Sequence, residues 1–537
     1  MSPRHAFDSL VLREDRLFGW GWWLDPRGPA RRIVLVVKHA DGSETRVRCQ
    51  PSGHRPDLAE AYADIPHAAG AGFLVQARLR GPVAGAAASL DVEYADGHHT
   101  QTTLAGFPGH YLGSQGAVSS WRGRWLVARA LLARGNLGAL LRRARDMLAR
   151  RLAGRRRRAE AQRSRTTPTP AGQPAPWVVF DHAMGGGANH FRDECLAHWR
   201  AEGRLVSLLT PHLPTQAYQL RECGAAPERE AEYGSLAAAL DALPAPGRIV
   251  LNSLVSFDDP GRVLDWVAAR QAEGVPVTYY LHDYHPACPA WTLVDDTGRY
   301  CGLPAYERCA RCLPANDAPF LGLLPDLDLP AWRQRWGAVL AGADEIVAFS
   351  QASLDVLRQA FPQLPADRLH LRPHDTSYIR PEPVQPDFAD PLVIAVVGQI
   401  NRYKGADIVR GMAVLIERER LPARLVVVGT LDDPPVSPVL RITGPYRAGE
   451  LPELLRRERT GVCLLPSIWH ETFSYVTSEL MAHGLPLAVF DLGAPAERVR
   501  GYARGAIIPA IDARAALDAL FALRARLAAA APRLESR

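Results

Sequence analysis

From residue 177 onward the chain alternates short apolar runs with amphipathic stretches, and this alternation constrains the fold more than any other feature. Five runs of the strand type lie between residues 177 and 350, and helical patterns such as NHFRDECLAHWRAEG separate them. A second series begins after Pro391 with LVIAVVGQI and continues to LPLAVFD, again interleaved with helical stretches. Strands that alternate with helices build a parallel sheet covered on both faces. The pattern predicts two successive doubly wound, Rossmann-like α/β domains, with the cleft between them as the natural ligand site.

Residues 1–110 have a different residue pattern. Short β-rich runs such as LFGWGWWLD, RIVLVVKHADG and GFLVQARL are broken by Gly, Pro and Asp-Gly turns, which is typical of a small antiparallel β-sandwich. Trp20, Trp22 and Trp23 could stack on sugar faces, but aromatic residues that alternate along a strand more often form core on one side. We favour a packing or acceptor-positioning role over glycan binding.

Residues 111–176 separate the β module from the α/β part. Within them, residues 121–165 contain 15 Arg against only Asp146 and Glu160, a net charge of +13, whereas the whole chain carries +6. Apolar residues at spacings of three and four predict a helix with one apolar stripe and an Arg-rich remainder. A Pro-rich linker follows over residues 166–176. Contact with an anionic membrane, a solvated connector and a nucleic-acid patch are three interpretations of this composition.

The composition excludes several protein classes. With 47% apolar and 22% charged residues, the chain is neither disordered, nor collagen-like, nor a disulfide scaffold. No run approaches the ~18 consecutive apolar residues of a membrane span, and MSPRHAFDSL lacks the pattern of a secretory signal. We therefore expect a cytoplasmic protein of four parts, which cover residues 1–110, 111–176, 177–385 and 386–537.

The strongest local motif is SIWHETFSYVTSELMAHGLPLAVFD. Glu471 follows a predicted strand and loop, and Glu479 lies after a further seven residues, inside the next helix. The turn Thr472-Phe473-Ser474 places free backbone N–H groups at the start of that helix, where they can bind an anion. A carboxylate at each end of a phosphate site can hold hydroxyls on both sides of a diphosphate.

This motif resembles the Glu, seven residues, Glu motif of retaining GT-B glycosyltransferases of the family-four type, and the resemblance covers about residues 177–515. It implies that Glu471 contacts the transferred sugar and that Phe473 and Ser474 contact phosphate through their backbone. It also implies that Glu479 holds the nucleotide ribose. The alternative is a pair of solvated acids at the ends of a helix.

A second motif, VVGQINRYKGADIV, also resembles the family. Gly398 ends a strand, and the following loop offers Arg402 and Lys404, whose charges would neutralise a nucleotide diphosphate. Gln399 stands where the family has Arg, so the resemblance transfers the arginine's role to Arg402. Lys404 matches the family lysine, and only two lysines occur in the chain. The alternative is an exposed loop charge.

Two further sites in the first α/β domain resemble the family more weakly. Gly185, Gly186 and Gly187 lie between a strand and a helix, and such a loop lets the backbone approach a sugar or an anion closely. We assign it to the acceptor or phosphate side. His282 closes the strand VTYYLHDY, and the resemblance implies that it touches the donor sugar; a packing role is the alternative.

Half of the eight cysteines lie within 25 residues of one another, in a loop rich in Pro, Gly and Asp. Their pattern is Cys-x12-Cys-x7-Cys-x2-Cys, and the residues are Cys288, Cys301, Cys309 and Cys312. Four thiolates suit a structural tetrahedral zinc ion, and a cytoplasmic address disfavours disulfides. A zinc site, free thiols and a redox pair all remain open.

These expectations combine into one function. The chain would be a retaining hexosyltransferase with Glu471, His282 and Lys404 in catalytic positions, and it would need no catalytic metal. It would move a sugar from a nucleotide diphosphate sugar to a bacterial surface glycan or lipid-linked acceptor. A lipid-linked acceptor favours membrane contact through residues 121–165, peripheral on the inner membrane, and we expect no nucleic-acid partner. The alternatives are a non-catalytic carbohydrate-binding scaffold and a nucleotide-sugar epimerase.

Overall fold

The computed structural model describes residues 3–52, 55–108, 128–129, 175–224, 228–324 and 327–530. The chain divides into two compact units. Unit 1 comprises Met1–Tyr280, Asp317–Ile346 and Leu364–Arg368, and unit 2 comprises Leu281–Asn316, Val347–Gln363 and Leu369–Arg537. Except for residues 128–129 and 175–176, the Arg-rich segment and the Pro-rich linker lie outside the described residues. The predicted division of the chain into four parts remains a prediction.

The amino-terminal part of unit 1 consists of two four-stranded antiparallel sheets. The strand orders are β1-β2-β6-β5 and β4-β3-β7-β8. A short helix, α1, covers Pro56–Ala61. The strands are β1 (Arg4–Arg13), β2 (Arg16–Leu24), β3 (Ala30–Lys38), β4 (Glu44–Arg48), β5 (Gln50–Pro51), β6 (Gly72–Arg78), β7 (Ala87–Tyr94) and β8 (His99–Thr103).

One hydrophobic cluster draws on both sheets, with Leu10 and Leu17 from the first and Leu35 and Leu90 from the second. Trp23 lies in this cluster, where its indole N–H donates to the Tyr94 hydroxyl over 2.9 Å. Trp22 is buried in a separate cluster against α1, and Trp20 is half-buried. The packing interpretation is therefore confirmed for Trp22 and Trp23. The sequence did not predict β1, whose many buried positions obscure the alternation of a strand.

The α/β part of unit 1 is built around a mixed sheet. Within unit 1 its strands run in the order β12-β11-β10-β9-β13-β14. They are β9 (Trp177–Phe180), β10 (Val206–His212), β11 (Ala217–Cys223), β12 (Arg229–Tyr233), β13 (Arg248–Leu251) and β14 (Val277–Tyr280). The helices are α2 (Gly186–Ala201), α3 (Leu236–Asp241), α4 (Pro260–Ala272) and, later in the chain, α6 (Leu329–Ala341).

The first predicted sheet differs from the expectation of purely parallel strands. Strands β10, β9, β13 and β14 are parallel, but β10 pairs with β11 and β11 with β12 in antiparallel register. Only four residues separate β10 from β11, and so short a connection can join antiparallel strands but not parallel ones. The sequence missed β11 and β12.

Unit 2 contains a purely parallel sheet with helices on both faces. Its strand order is β19-β18-β17-β20-β21-β22. Apolar residues of α8 and α12 pack on one face, and those of α9, α10 and α11 pack on the other. The strands are β17 (Leu392–Ile400), β18 (Ala423–Leu431), β19 (Leu440–Ile442), β20 (Val462–Leu465), β21 (Leu487–Phe490) and β22 (Gly505–Ile508). The helices are α8 (Ala406–Glu419), α9 (Leu451–Arg457), α10 (Tyr475–Ala482), α11 (Gly493–Val499) and α12 (Ala513–Ala530).

Two helices and two strands belong to the segments in which the chain changes from one unit to the other. They are α5 (Tyr306–Ala315), β15 (Glu345–Ala348), α7 (Gln351–Ala360) and β16 (Leu369–Leu371). The prediction of a parallel α/β sheet is confirmed for residues 391–530. Over the described ranges, no helix has both the length and the apolar character that a membrane crossing requires.

Candidate functional site

The topology of unit 2 creates a crevice between β17 and β20. The chain runs from β17 outward to β18 and β19, and it then returns to place β20 on the other side of β17. The loops after β17 and β20 therefore leave the sheet in opposite directions, and ligands of doubly wound folds bind at such a switch point. Lys404 lies in the first of these loops and Glu471 in the second.

Lys404 and Glu471 form an ion pair at this crevice. Lys404 Nζ donates to Glu471 Oε1 over 3.2 Å, and the Ser467 hydroxyl donates to the same oxygen. The Glu471 side chain is only 6% exposed, whereas that of Lys404 is 38% exposed. An ammonium has three donors, so Lys404 retains donors for an anion while it pairs with the carboxylate.

Two glycines allow the close approach of the backbone segments that carry this pair. Gly405, which precedes α8, has φ +83, and a Cβ there would collide with the carbonyl oxygen of Pro466. Gly493, at the start of α11, has φ +62, and a Cβ there would lie 2.8 Å from the backbone nitrogen and oxygen of Glu471. The Ala494 N–H donates to the Glu471 carbonyl over 2.9 Å. Both sides of the crevice are therefore fixed through backbone contacts.

The second motif carboxylate, Glu479, lies half-buried in α10. Burial raises its pKa from the usual 4.5 to about 7. Burial also raises the pKa of Tyr446, and the negative charge of Glu479 raises it further. The Tyr446 and Glu479 side chains therefore lie near each other. Phe473 is buried, and Ser474 precedes α10 with φ 77, a rare conformation for a residue with a side chain. The Ser474 side chain caps no N–H group of the helix.

Arg498, which the sequence did not predict, fixes the loop before α10. Its guanidinium donates to the Ser474 carbonyl over 3.2 Å and lies 4.9 Å from the centre of the Phe473 ring. Burial lowers its pKa. Ser467 was also missed. The only sequence signal for Ser467 is that it lies in the same loop as Glu471. Arg498 lies in a helix that contains no recognisable motif, so only the fold shows that it contacts this loop.

His282 belongs to unit 2 and is buried. Its carbonyl accepts from the Thr472 hydroxyl over 3.1 Å, which joins it to the loop after Glu471. Its ring stacks on Phe349, with 4.6 Å between ring centres, and Phe349 stacks on His374 at 3.8 Å. His374 in turn meets Phe473 edge-on. Phe349 and His374 are therefore further members of the site that the sequence did not indicate.

His470, the residue before Glu471, is held from the same segment as His282. The Tyr284 hydroxyl lies 2.6 Å from His470 Nδ1, and the Tyr300 ring lies 5.2 Å from the imidazole centre. Burial lowers the pKa of His470 to about 4, and burial also raises the pKa of Tyr284. Tyr284 is therefore the donor and neutral His470 the acceptor of this hydrogen bond.

The other predicted donor residues lie around the same loops. Gly398 lies in β17 with φ 117. Its carbonyl oxygen lies so close to Gly429 that a Cβ on Gly429 would collide with it. Arg402 follows β17, and its guanidinium lies 3.4 Å from the position that a Cβ of Gly298 would occupy. Arg402 therefore lies near the loop that contains Gly298.

The glycine loop of the first α/β domain belongs to unit 1. Gly185 and Gly186 have φ 82 and 81 at the start of α2, and the space where their Cβ atoms would stand is open. Asn189 accepts from the Gly185 N–H over 2.6 Å and donates to Asp181 over 2.8 Å. Gly187 is exposed in the first turn of α2. The loop is thus exposed and ordered by buried polar side chains.

The four clustered cysteines all line one cavity of about 390 Å³ in unit 2. Burial is the main cause that raises the pKa of Cys288 to about 12, with contributions from the charges of the other three thiols. All eight cysteines are free thiols. In the described part of the chain, no three His, Cys, Asp or Glu side chains are arranged so that they could hold a metal ion as they stand.

Part of the carboxy-terminal region matches a known protein family. Residues 391–525 match the family model of the group 1 glycosyl transferases. The matched segment runs from the residue before β17 into α12, and it contains Lys404, Glu471 and Glu479. No curated protein matches the chain. The predicted glycosyltransferase resemblance is confirmed for this segment at the level of group 1.

Several solved structures resemble the chain weakly. Anabaena Alr3699/HepE in complex with UDP-glucose has 14% identity and a TM-score of 0.41, over 65% of this chain and 89% of that one. A glycosyltransferase from Rickettsia africae has 14% identity and a TM-score of 0.36, over 66% and 92%. The pneumococcal O-GlcNAc transferase GtfA in complex with UDP and GlcNAc has 12% identity and a TM-score of 0.33, over 58% and 57%. All three TM-scores are below 0.5.

Proposed function

We propose that this protein is a retaining hexosyltransferase of the family-four type that uses a nucleotide diphosphate sugar as donor. The observation that carries the proposal is the Lys404–Glu471 pair at the switch point of a segment that matches group 1 glycosyl transferases. A cation and a carboxylate side by side suit a ligand that is anionic on one side and rich in hydroxyls on the other.

Each proposed role rests on the chemistry of the residue. Lys404, helped by Arg402, binds the diphosphate and stabilises its charge as the sugar leaves, which is where a transferase lowers its barrier most. The uncapped N–H groups at the start of α10 bind phosphate at Phe473 and Ser474. Glu471, whose Oε1 is held by Lys404 and Ser467, accepts from sugar hydroxyls, and Glu479 accepts from the ribose. His282 contributes to the sugar site, and Gly185 to Gly187 contribute to the acceptor or phosphate side.

The experiment begins with a thermal-stability screen of nucleotide diphosphate sugars. Transfer or donor hydrolysis is then measured with the sugar nucleotide that stabilises the protein most. We expect Lys404→Met and Glu471→Gln each to lower kcat by about 100- to 1,000-fold, the range seen when one preorganised charge partner is removed. Arg418→Met removes an exposed cation of the same unit and should leave the rate unchanged.

Two outcomes would reject the assignment. Near-normal turnover in both Lys404→Met and Glu471→Gln would show that the chemistry occurs elsewhere. If calorimetry detects neither nucleotide binding nor donor hydrolysis, the chain is a carbohydrate-binding scaffold. Conversion of the donor sugar into its epimer without an acceptor would instead indicate an epimerase. The anomeric configuration of the product, read by NMR, tests retention directly.

We further propose that the acceptor is a bacterial surface glycan or lipid-linked saccharide, reached from the cytoplasmic face of the membrane. The support is the Arg-rich composition of residues 121–165, whose net charge of +13 suits an anionic surface. Deletion of residues 121–165 should abolish co-sedimentation with vesicles that contain phosphatidylglycerol while donor binding is retained. Wild-type protein that also sediments with pure phosphatidylcholine vesicles, or a deletion that still sediments, would contradict the proposal.

A further inference from the structure

A cavity in unit 2 outside the proposed donor site gathers half of the protein's cysteines. Cys288, Cys301, Cys309 and Cys312, here called the four-cysteine cluster, line this cavity of about 390 Å³. They come from a single stretch of 25 residues, whereas the other four cysteines are scattered along the chain. No step of the proposed sugar transfer uses them.

The placement of the cluster suits ligands better than core packing. Cys309 and Cys312 lie three residues apart in α5, so they share one face of the helix. Cys288 and Cys301 lie in the preceding segment, which contains no helix or long strand between Leu281 and Pro304. The polar side chains of Asp295, Arg308 and Asn316 also line the cavity, so it is not a purely apolar core.

The same segment also holds unfavourable backbone conformations. Trp291, Leu293 and Leu303 have φ values of 40, 56 and 57, in the left-handed region that residues with large side chains avoid. Strained residues of this kind persist where other interactions over-determine the backbone, and they concentrate at active sites and ligand-binding sites. A group that ties four points of the segment together would supply such interactions.

We propose that the four-cysteine cluster binds a thiophilic metal centre, which is either a zinc ion or an iron–sulfur cluster. Four thiolates are a complete ligand set for both. Because no three of the described side chains could hold a single ion as they stand, binding draws the thiols inward. An iron–sulfur cluster is larger than a single ion and holds its four sulfurs farther apart.

The bound metal would fix the segment that supports the sugar site. Tyr300 precedes Cys301 directly, and its ring packs against His470. Tyr284 lies four residues before Cys288 and hydrogen-bonds the same imidazole. The metal therefore has a structural effect on unit 2, and the proposal does not depend on which reaction the protein catalyses.

The test measures metal in the full-length protein purified without added metal, both in air and without oxygen. Zinc, iron and acid-labile sulfide are quantified together with the visible absorption spectrum. Zinc bound one per chain in a colourless protein indicates a zinc site, and iron with sulfide and a brown colour indicates a cluster. In either case Cys309→Ser/Cys312→Ser should lose the metal. Cys195→Ser, a half-buried cysteine of α2, should retain it.

Measurements on the wild-type protein keep the proposal falsifiable if the double variant fails to fold. A mercurial reagent should release the metal as it titrates the thiols, and the melting temperature should fall when the metal leaves. A folded wild-type protein that binds neither zinc nor iron, also after reconstitution, would overturn the proposal. So would a folded Cys309→Ser/Cys312→Ser variant with unchanged metal content.

Discussion

At the scale of single residues, Glu479 shows the cost of burying a carboxylate. Its carboxylate is half-buried in α10, and burial alone accounts for its raised pKa of about 7. A charged group that is withdrawn from water without compensation destabilises the folded state. A ribose that donates hydrogen bonds to this carboxylate would provide the compensation only when the donor binds.

This predicts a pH-dependent gain in stability for Glu479→Gln. The pKa is higher in the folded state, at about 7, than the unfolded value of 4.5, so the folded state binds the proton more tightly. Wild-type stability should therefore fall as the pH rises from 4.5 to 7, and a glutamine should abolish that loss. At pH 8 the free energy of unfolding of the variant should exceed that of the wild type by up to about 3 kcal/mol. At pH 4 the two proteins should be almost equally stable.

Urea unfolding of wild type and Glu479→Gln across this pH range measures the difference. Glu453→Gln, at an exposed site of the same unit, should change little. The same Glu479→Gln variant should bind the donor more weakly than wild type at pH 8, because an amide accepts fewer hydrogen bonds than a carboxylate. A stability difference that is equal at pH 4 and pH 8 would show that Glu479 is not desolvated.

At the scale of elements, the turn from β17 into α8 decides where Lys404 lies. The Lys404 N–H donates to the Asn401 side chain over 3.0 Å, and Gly405 then takes a left-handed conformation before the helix starts. Gly405 passes so close to Pro466 that no side chain can be accommodated. The turn therefore joins the loops that carry the two halves of the ion pair.

We predict that Gly405→Ala destabilises unit 2 and lowers donor affinity. The methyl group would have to displace the backbone of Pro466 or force the loop to open, in addition to the strain of a positive φ. The expected loss is roughly 2–4 kcal/mol in the free energy of unfolding. Gly444→Ala is the matched control, since Gly444 has a similar φ of +85 but a Cβ there meets open space. Equal stability of the two variants in urea would contradict the close packing of this turn.

At the scale of the whole molecule, the amino-terminal sheets and the α/β part of unit 1 are joined by a buried ionic contact. Arg16 of β2 is only 5% exposed at its side chain, and it lies 3.0 Å from an oxygen of Asp258. The same guanidinium donates to the Gly234 carbonyl over 2.6 Å. The Tyr218 hydroxyl donates to Asp258 as well. The β module is therefore part of the folded unit and not a loosely tethered appendage.

We predict that Arg16→Met destabilises unit 1 by about 3 kcal/mol, because it leaves the largely buried Asp258 carboxylate without its cation. The double variant Arg16→Met/Asp258→Asn should recover part of that loss. Arg31→Met breaks an exposed pair with Glu93 and should change stability by under about 1 kcal/mol. Limited proteolysis should release the β module from Arg16→Met and not from Arg31→Met. A loss as small as that of Arg31→Met would show that the contact does not join the two parts.

Much of the fold was predictable because it follows from local pattern. The apolar runs of β17, β18, β20 and β21 are continuous, as in strands covered on both faces, and the helices between them are amphipathic. Strands β11 and β12 were not predicted, because their pairing depends on a short turn and not on a helical crossover. In the site, Glu471, Glu479 and Lys404 were predicted because they lie in motifs with fixed spacing.

The sequence by itself determined the alternation of strands and helices, the Arg-rich composition of residues 121–165 and the two motifs that contain Lys404, Glu471 and Glu479. These are local properties, since periodicity, charge and spacing are set by neighbours in the chain. Only the tertiary structure decided that Ser467 and Arg498 support the motif, that Glu471 is buried against Lys404, and that the four-cysteine cluster shares one cavity. Those facts depend on which strand carboxyl ends and loops meet in space, and this is set by strand order and by glycines that permit close backbone approach.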